Sequence, residues 1–240
     1  MVLSRAQKVT LAVGVPLTAA AIGWGGLNAV AAVGRGTEQV NLRLPVTNGT
    51  VAAHLGNGDI RLVQGSGSVA TLTGTVRYSL FPPGISKSTV GDRLSVDFNC
   101  TSPVGWCGAD MALTVPASVT SAELSTDNGN VTVSGPLAAN TLSLSSSMGD
   151  ISASGVTASD VSANSDMGDI TLTFTKAPKT LTVSDSMGDI SIVLPVGVTY
   201  HVVASSDMGS VNDAVQHSDS ASDSISVTTN MGDVSITYGS

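Results

Sequence analysis

One phrase recurs through the second half of this chain, and its period constrains the fold more than any other feature. Met-Gly-Asp before a β-branched residue stands at SSMGDI, SDMGDI, DSMGDI and TNMGDV, with SDMGSV as a variant. Counted from DNGNV, the glycines are Gly129, Gly149, Gly168, Gly188, Gly209 and Gly232, separated by 20, 19, 20, 21 and 23 residues. A period near twenty is the mark of stacked repeats. Each unit holds two short strands, one after the glycine (DITLTF) and one before the next (TLTVSDS), joined by connections such as TKAPK and PVGVTY. Alternation turns Ile170, Leu172 and Phe174 of one unit, and Ile190, Ile192 and Leu194 of the next, toward one inner face.

Each residue of the phrase has a physical reading. Glycine supplies the positive φ of a sharp turn without a Cβ clash, and the neighbouring Asp or Asn bonds the turn backbone. Coils that follow one another in sequence are expected to stack at about 4.8 Å, so that like residues form ladders. A ladder of Met148, Met167, Met187, Met208 and Met231 is expected as pliable apolar filling at the corners. Soft thioethers also bind copper, but methionine at a recurring turn reads first as packing. The phrase is thus a corner piece.

The rest of the chain agrees with an all-β fold. NGTVAAHL, NGDIRLV, SVATLTGTVRYSL, RLSVDF and MALTVPASV read as strands, FPPG as a breaker, and nothing after residue 35 has helical periodicity. Aromatic residues are only 3% of the composition, which suits many short strands and tight turns. The β-repeat domain is expected over residues 47–240, clearest over 123–240, after a tether at 34–46. The final strand VSITY needs a covered edge, since open solenoid ends invite aggregation.

The N-terminus bears on location. After a basic stretch (residues 1–8, with Arg5 and Lys8), residues 9–33 carry no charge. At about 1.5 Å per residue a helix of that length crosses a hydrocarbon core of about 30 Å. The basic flank would remain cytoplasmic, with the domain outside. A cleaved signal peptide is the other reading, with Ala29-Val30-Ala31 as its small-x-small site. The domain is exported in both cases: cell membrane, single-pass and extracytoplasmic, or secreted. Cys100 and Cys107, the two cysteines of the chain, are expected to close a short loop as a disulfide in that compartment.

Charge narrows the partners. Residues 1–119 hold eight Lys/Arg and five acids, whereas residues 120–240 hold two lysines and thirteen acids, so the halves carry +3 and −11. An acidic repeat half argues against nucleic acid and anionic membrane surfaces. It leaves cations, neutral glycans and protein surfaces. Asp150, Asp169, Asp189 and Asp233 would form an acidic ladder broken by Ser210, where calcium between coils competes with a solvated-turn role. Asp127, Asp166, Asp185 and Asp207 precede the glycines by two or three residues. The nine-residue calcium β-roll phrase, with its glycine pair, is absent from the sequence. His54, His201 and His217 stand apart in sequence; a Ser-His-Asp triad would have to be assembled in space, and no G-x-S-x-G occurs. The Ser/Asp stretch SDSASDS (218–224) is expected as a loop that lengthens the last unit.

The GDI/GDV phrases at twenty-residue spacing, the segment LTVPASVTSAELSTDNGNVTVSG (113–135) and the N-terminal apolar segment resemble the bacterial adhesin-like β-strand repeat family, domain of unknown function 4097. The resemblance covers about 47–240 and implies a β-solenoid or β-helix-like fold in an envelope protein, with no catalytic residues. The expected function is a non-enzymatic, adhesin-like binding module without a required cofactor, its partner an envelope glycan or a membrane or surface protein. An envelope-stress or signalling accessory contacting a membrane protein is the alternative, and a polysaccharide-acting β-helix enzyme a more distant one.

Overall fold

The structure, a computed structural model, describes residues 35–44, 46, 49–80, 82–90, 93–99, 106–137 and 139–239. The predicted membrane or signal segment at 9–33 and Cys100 lie outside these residues. Among the described residues there are strands and turns but no helix. The N-terminal part forms β1 (Arg35–Leu44), β2 (Gly49–Asn57), β3 (Ile60–Gly65), β4 (Ala70–Ser79), β5 (Gly84–Val90), β6 (Arg93–Asn99) and β7 (Cys107–Pro116). The repeats form strand pairs: β8 (Val119–Asn128) with β9 (Val131–Ser134), β10 (Thr141–Met148) with β11 (Ile151–Val156), and β12 (Asp160–Met167) with β13 (Ile170–Phe174). Then come β14 (Thr180–Met187) with β15 (Ile190–Leu194), β16 (His201–Met208) with β17 (Val211–Asp213), and β18 (Ser224–Met231) with β19 (Val234–Tyr238).

The two strands of a pair enter different sheets. One sheet runs β1-β4-β7-β3-β9-β11-β13-β15-β19-β17 and the other β16-β18-β14-β12-β10-β8-β2-β6-β5. Both are parallel through the repeats, and β1, β4 and β5 pair antiparallel at the N-terminal end. The first, third and fifth residues after the Asp turn inward, and Ile151, Ile170, Leu172, Ile190, Ile192, Leu194 and Ile236 are all 1% exposed or less. Stacked Leu142, Leu144, Leu181, Val183, Ile225 and Val227 oppose them from the second sheet, giving one continuous core. Burial of each such side chain stabilises the stack by about 1.5–3 kcal/mol before entropy is counted.

Coils do not stack in chain order at either end, contrary to the expectation from sequence. The pair β18–β19 lies between β14–β15 and β16–β17, and β2–β3 lies between β6–β7 and β8–β9. The last two glycine intervals, 21 and 23 residues, now have a cause. The chain must skip one level outward and then return, and one to three added residues of about 3.3 Å each cover that step. SDSASDS, as expected, belongs to the connection that makes the return, ending where β18 begins. VSITY (β19) is therefore not an edge strand; it is paired on both sides, and β16 and β17 form the open end. Threading the terminal strand inside the stack protects it from fraying.

Arg35–Leu44, read from sequence as tether, is a ten-residue strand paired along its length with β4. Its first half is polar, which hid the alternation. Val40 and Leu44 face the core, with Leu42 partly buried between them.

Candidate functional site

The corners are the most repeated chemistry in the molecule. Gly129, Gly149, Gly168, Gly188 and Gly232 all have positive φ, and a Cβ on any of them would sit within 2.3 Å of the preceding coil's glycine carbonyl oxygen. Gly209 differs, since its φ is not in that region. It is required for space alone, its Cβ direction meeting the Gly232 oxygen at 2.0 Å. Gly58, in the NGDI of the N-terminal half, belongs to the same file with φ +126°.

Between coils the corner is held by three hydrogen bonds. The Gly149 amide donates to the Met167 carbonyl (2.8 Å), Ile151 to the Asp169 carbonyl (2.9 Å), and the Asp169 amide to Asp150 Oδ1 (2.9 Å). The third bond repeats through the stack. Asn130 donates to Asp59, Asp150 to Asn130, Asp189 to Asp169, Asp233 to Asp189 and Ser210 to Asp233, all at 2.8–2.9 Å. Asp150, Asp169, Asp189 and Asp233 thus form an unbroken file. Ser210 does not interrupt it, because its coil is the outermost and has no neighbour left to cap. The Ser210 amide and hydroxyl, both bonded to Asp233, hold that carboxyl below the usual range. Sequence reading missed Asp59 and Asn130, although the NGD at 57–59 is the same phrase with Asn in place of Met.

Each capping carboxylate spends one oxygen on the main chain and offers one outward per coil, while calcium takes six to eight oxygens. Among the described residues, no three His, Cys, Asp or Glu side chains converge as a metal-holding group. The capping role makes a direct prediction. Asp169→Asn, which keeps the acceptor as Asn130 does, should leave urea stability unchanged. Asp169→Ala should lose about 1 kcal/mol. The melting temperature should be the same with calcium as with a chelator.

The second acidic set divides. Asp127, Asp166 and Asp207 point outward, but Asp185 is buried in an inner file with Thr126, Ser146, Ser165 and Thr229. Position carries the signal: Asp185 stands three residues before its glycine and the others two, so strand alternation sends it to the opposite face. In this file Thr126 and Ser146 donate to the carbonyls of Gly58 and Gly129, at 3.0 and 2.9 Å. A carboxylate cannot donate. Neither Asp185 oxygen has a partner within hydrogen-bond limits. Burial pushes its pKa up to about 6; the nearby amides of Ser186 and Met187 partly oppose this, and Asp169 and Asp166 add to it.

The methionine file lies elsewhere than expected. Met148, Met167, Met187, Met208 and Met231 are 41–62% exposed. Each stands two residues after an inward-facing one, Met148 after Ser146 and Met187 after Asp185, but at the corner itself, where the side chain projects outside the core. The corners are filled by Ile and Val after the Asp, not by Met.

The histidines are brought near acids. His201 lies 4.0 Å from Asp219, and His217 3.0 Å from Asp213. His54, on β2, has Ser125 Oγ 3.0 Å from Nδ1 and Asp127 Oδ2 3.9 Å from Nε2. The three residue types of a hydrolytic triad thus meet on an outer sheet face, beside the Arg93–Glu123 ion pair. Ser125 sits mid-strand, however, with β8 paired on both sides, so its neighbouring amides serve the ladder and not an oxyanion.

The outward sheet faces are hydroxyl-rich. Ser143, Ser162, Thr182 and Ser226 stand in register across four adjacent coils, as do Ser145, Asn164, Ser184 and Thr228. On the opposite sheet Thr132, Ser152, Thr171, Ser191 and Ser235 form a matching file.

A candidate cell adhesion protein from Clostridium sporogenes aligns over 85% of this chain and 100% of its own, at 12% identity and TM-score 0.46. A candidate adhesin from Bacteroides fragilis aligns over 85% and 97%, at 14% identity and TM-score 0.47. A candidate lipid-binding protein from Parabacteroides distasonis aligns over 85% and 97%, at 9% and 0.36. No curated protein matches the chain. At such identities and scores these likenesses carry no functional argument, but the Toastrack DUF4097 family model matches residues 22–237, nearly the whole chain. The chain belongs to the Toastrack DUF4097 family.

Proposed function

We propose that this protein is a non-enzymatic, adhesin-like binding module of the bacterial envelope, exported and held at the membrane by residues 9–33. The observation that carries the reading is the pair of long sheet faces, on which serine, threonine and asparagine repeat in register at about 4.8 Å. Such a face offers a donor and an acceptor at every coil, with few long flexible side chains to immobilise. It complements the hydroxyls of an extended neutral glycan running across the coils. The acidic balance of the repeat half suits a neutral chain and disfavours an anionic one. A disulfide between Cys107 and Cys100 would brace the loop before β7 in an oxidising compartment.

The test is retention on insoluble envelope glycan. The protein should be retained and eluted by soluble fragments of the same polymer. Ser145→Glu with Ser184→Glu, which places like charges two coils apart on one file, should abolish retention without lowering the melting temperature. No retention, together with in-cell crosslinking to one integral membrane protein, would replace this reading with that of a signalling accessory.

A further inference from the structure

The methionine side chains are the one part of the repeated phrase that the fold does not use. Glycine makes the corner, aspartate caps the next coil, and isoleucine or valine enters the core. The residue before the glycine contributes only its carbonyl, which accepts the glycine amide of the neighbouring coil, as Met167 does for Gly149 and Met187 for Gly168. Asparagine does this equally well: the Asn128 carbonyl accepts the Gly58 amide at 2.7 Å. Five coils nevertheless place methionine there. Register aligns them as Met148, Met167, Met187, Met231 and Met208, an uninterrupted outward file along one corner. The packing role that would account for these residues is not theirs, since all five are exposed.

We propose that this thioether file is a binding site for a soft monovalent metal ion, Cu(I) and its analogue Ag(I). Thioether sulfur is a soft ligand that selects Cu(I) over the harder ions, which prefer oxygen. Adjacent strands place the methionines about 4.8 Å apart. Three rotatable side-chain bonds let the sulfurs of neighbouring coils converge on one ion while the main chain stays in its ladder. The surroundings favour a cation. Asp166 and Asp207 directly precede Met167 and Met208 and point outward, and the free oxygens of the Asp file lie just beyond the glycines. The two lysines of the repeat half, Lys176 and Lys179, lie on the β13–β14 connection at the opposite end of the strands. The site is independent of the glycan-binding reading, since it uses a corner and not a sheet face.

The experiment is anaerobic titration of the protein with Cu(I), held reduced by ascorbate against a colorimetric Cu(I) chelator, and with Ag(I) by calorimetry. Both ions should bind. The Met methyl carbon signals of the file should shift, while that of the core-buried Met111 stays fixed. The triple variant Met167→Leu, Met187→Leu and Met231→Leu keeps apolar side chains of similar size at exposed positions, so its melting temperature should match the parent. It should lose the Cu(I) and Ag(I) response. Absence of binding by the parent overturns the proposal, and so does binding that persists in the leucine variant. Such a leucine variant that still captures an apolar ligand would identify the file as a hydrophobic contact.

Discussion

Gly168→Val is expected to lower the stability of the protein by about 3 kcal/mol or more in urea unfolding. Two penalties combine at this corner. A φ of +140° is strained for any residue with a Cβ, and the Cβ would lie 2.3 Å from the Gly149 oxygen and 2.6 Å from its carbonyl carbon. Those atoms are backbone, held in the corner hydrogen bonds of the adjacent coil, and cannot swing aside as a side chain would. The strain therefore spreads to the neighbouring levels. Two companion variants separate the causes. Gly197→Ala meets nothing within 4 Å and keeps only the φ penalty at +83°, so it should lose about 1 kcal/mol. Gly209→Ala has no such φ but would strike the Gly232 oxygen, and it should lose more than Gly197→Ala. A Gly168→Val protein with parental stability would show that the corner account is wrong.

Asp185→Ser should move stability in the other direction. The buried carboxyl occupies a position where Thr126 and Ser146 each donate a hydrogen bond to a corner carbonyl. Ionised, it has no proton to give, and the nearby Ser186 and Met187 amides compensate its lost hydration only in part, so serine should gain about 1–3 kcal/mol at neutral pH. The pH dependence has a definite sign. The folded pKa of about 6 lies above the ordinary 3.8, so the folded state holds the proton more tightly. The contribution of this group is complete below the ordinary value and is lost as pH rises through about 6. The advantage of the serine variant over the parent should therefore be small at pH 4 and should grow to its full value by pH 7. Equal differences at the two pH values would mean that Asp185 is not the responsible titrating group.

Much of the architecture was legible because repetition makes local signals agree. The glycine period located the corners, and period-two alternation oriented Ile170, Leu172 and Phe174 correctly, since both follow from backbone geometry that each unit satisfies alone. Alternation applied to Asp185 would have shown it to be buried. Asp59 and Asn130 were also within reach, being variants of the same phrase. The methionines were misplaced for a different reason. An apolar residue in every repeat suggests interior filling, but the residue before a corner glycine has already left the inner face of its strand.

Stack order was decided only in three dimensions. The sequence by itself determined an all-β chain, its corners, its inner faces and the charge of its repeat half, because these depend on neighbours a few residues apart. It did not determine that β18–β19 would enter between β14–β15 and β16–β17. All the repeat coils present nearly the same edge, so local pairing preferences barely distinguish the two stacking orders. The choice rests on connection length and on how the end coil is covered. From it follow the unbroken aspartate file, the terminal place of Ser210, the protected strand β19 and the continuous line of thioethers.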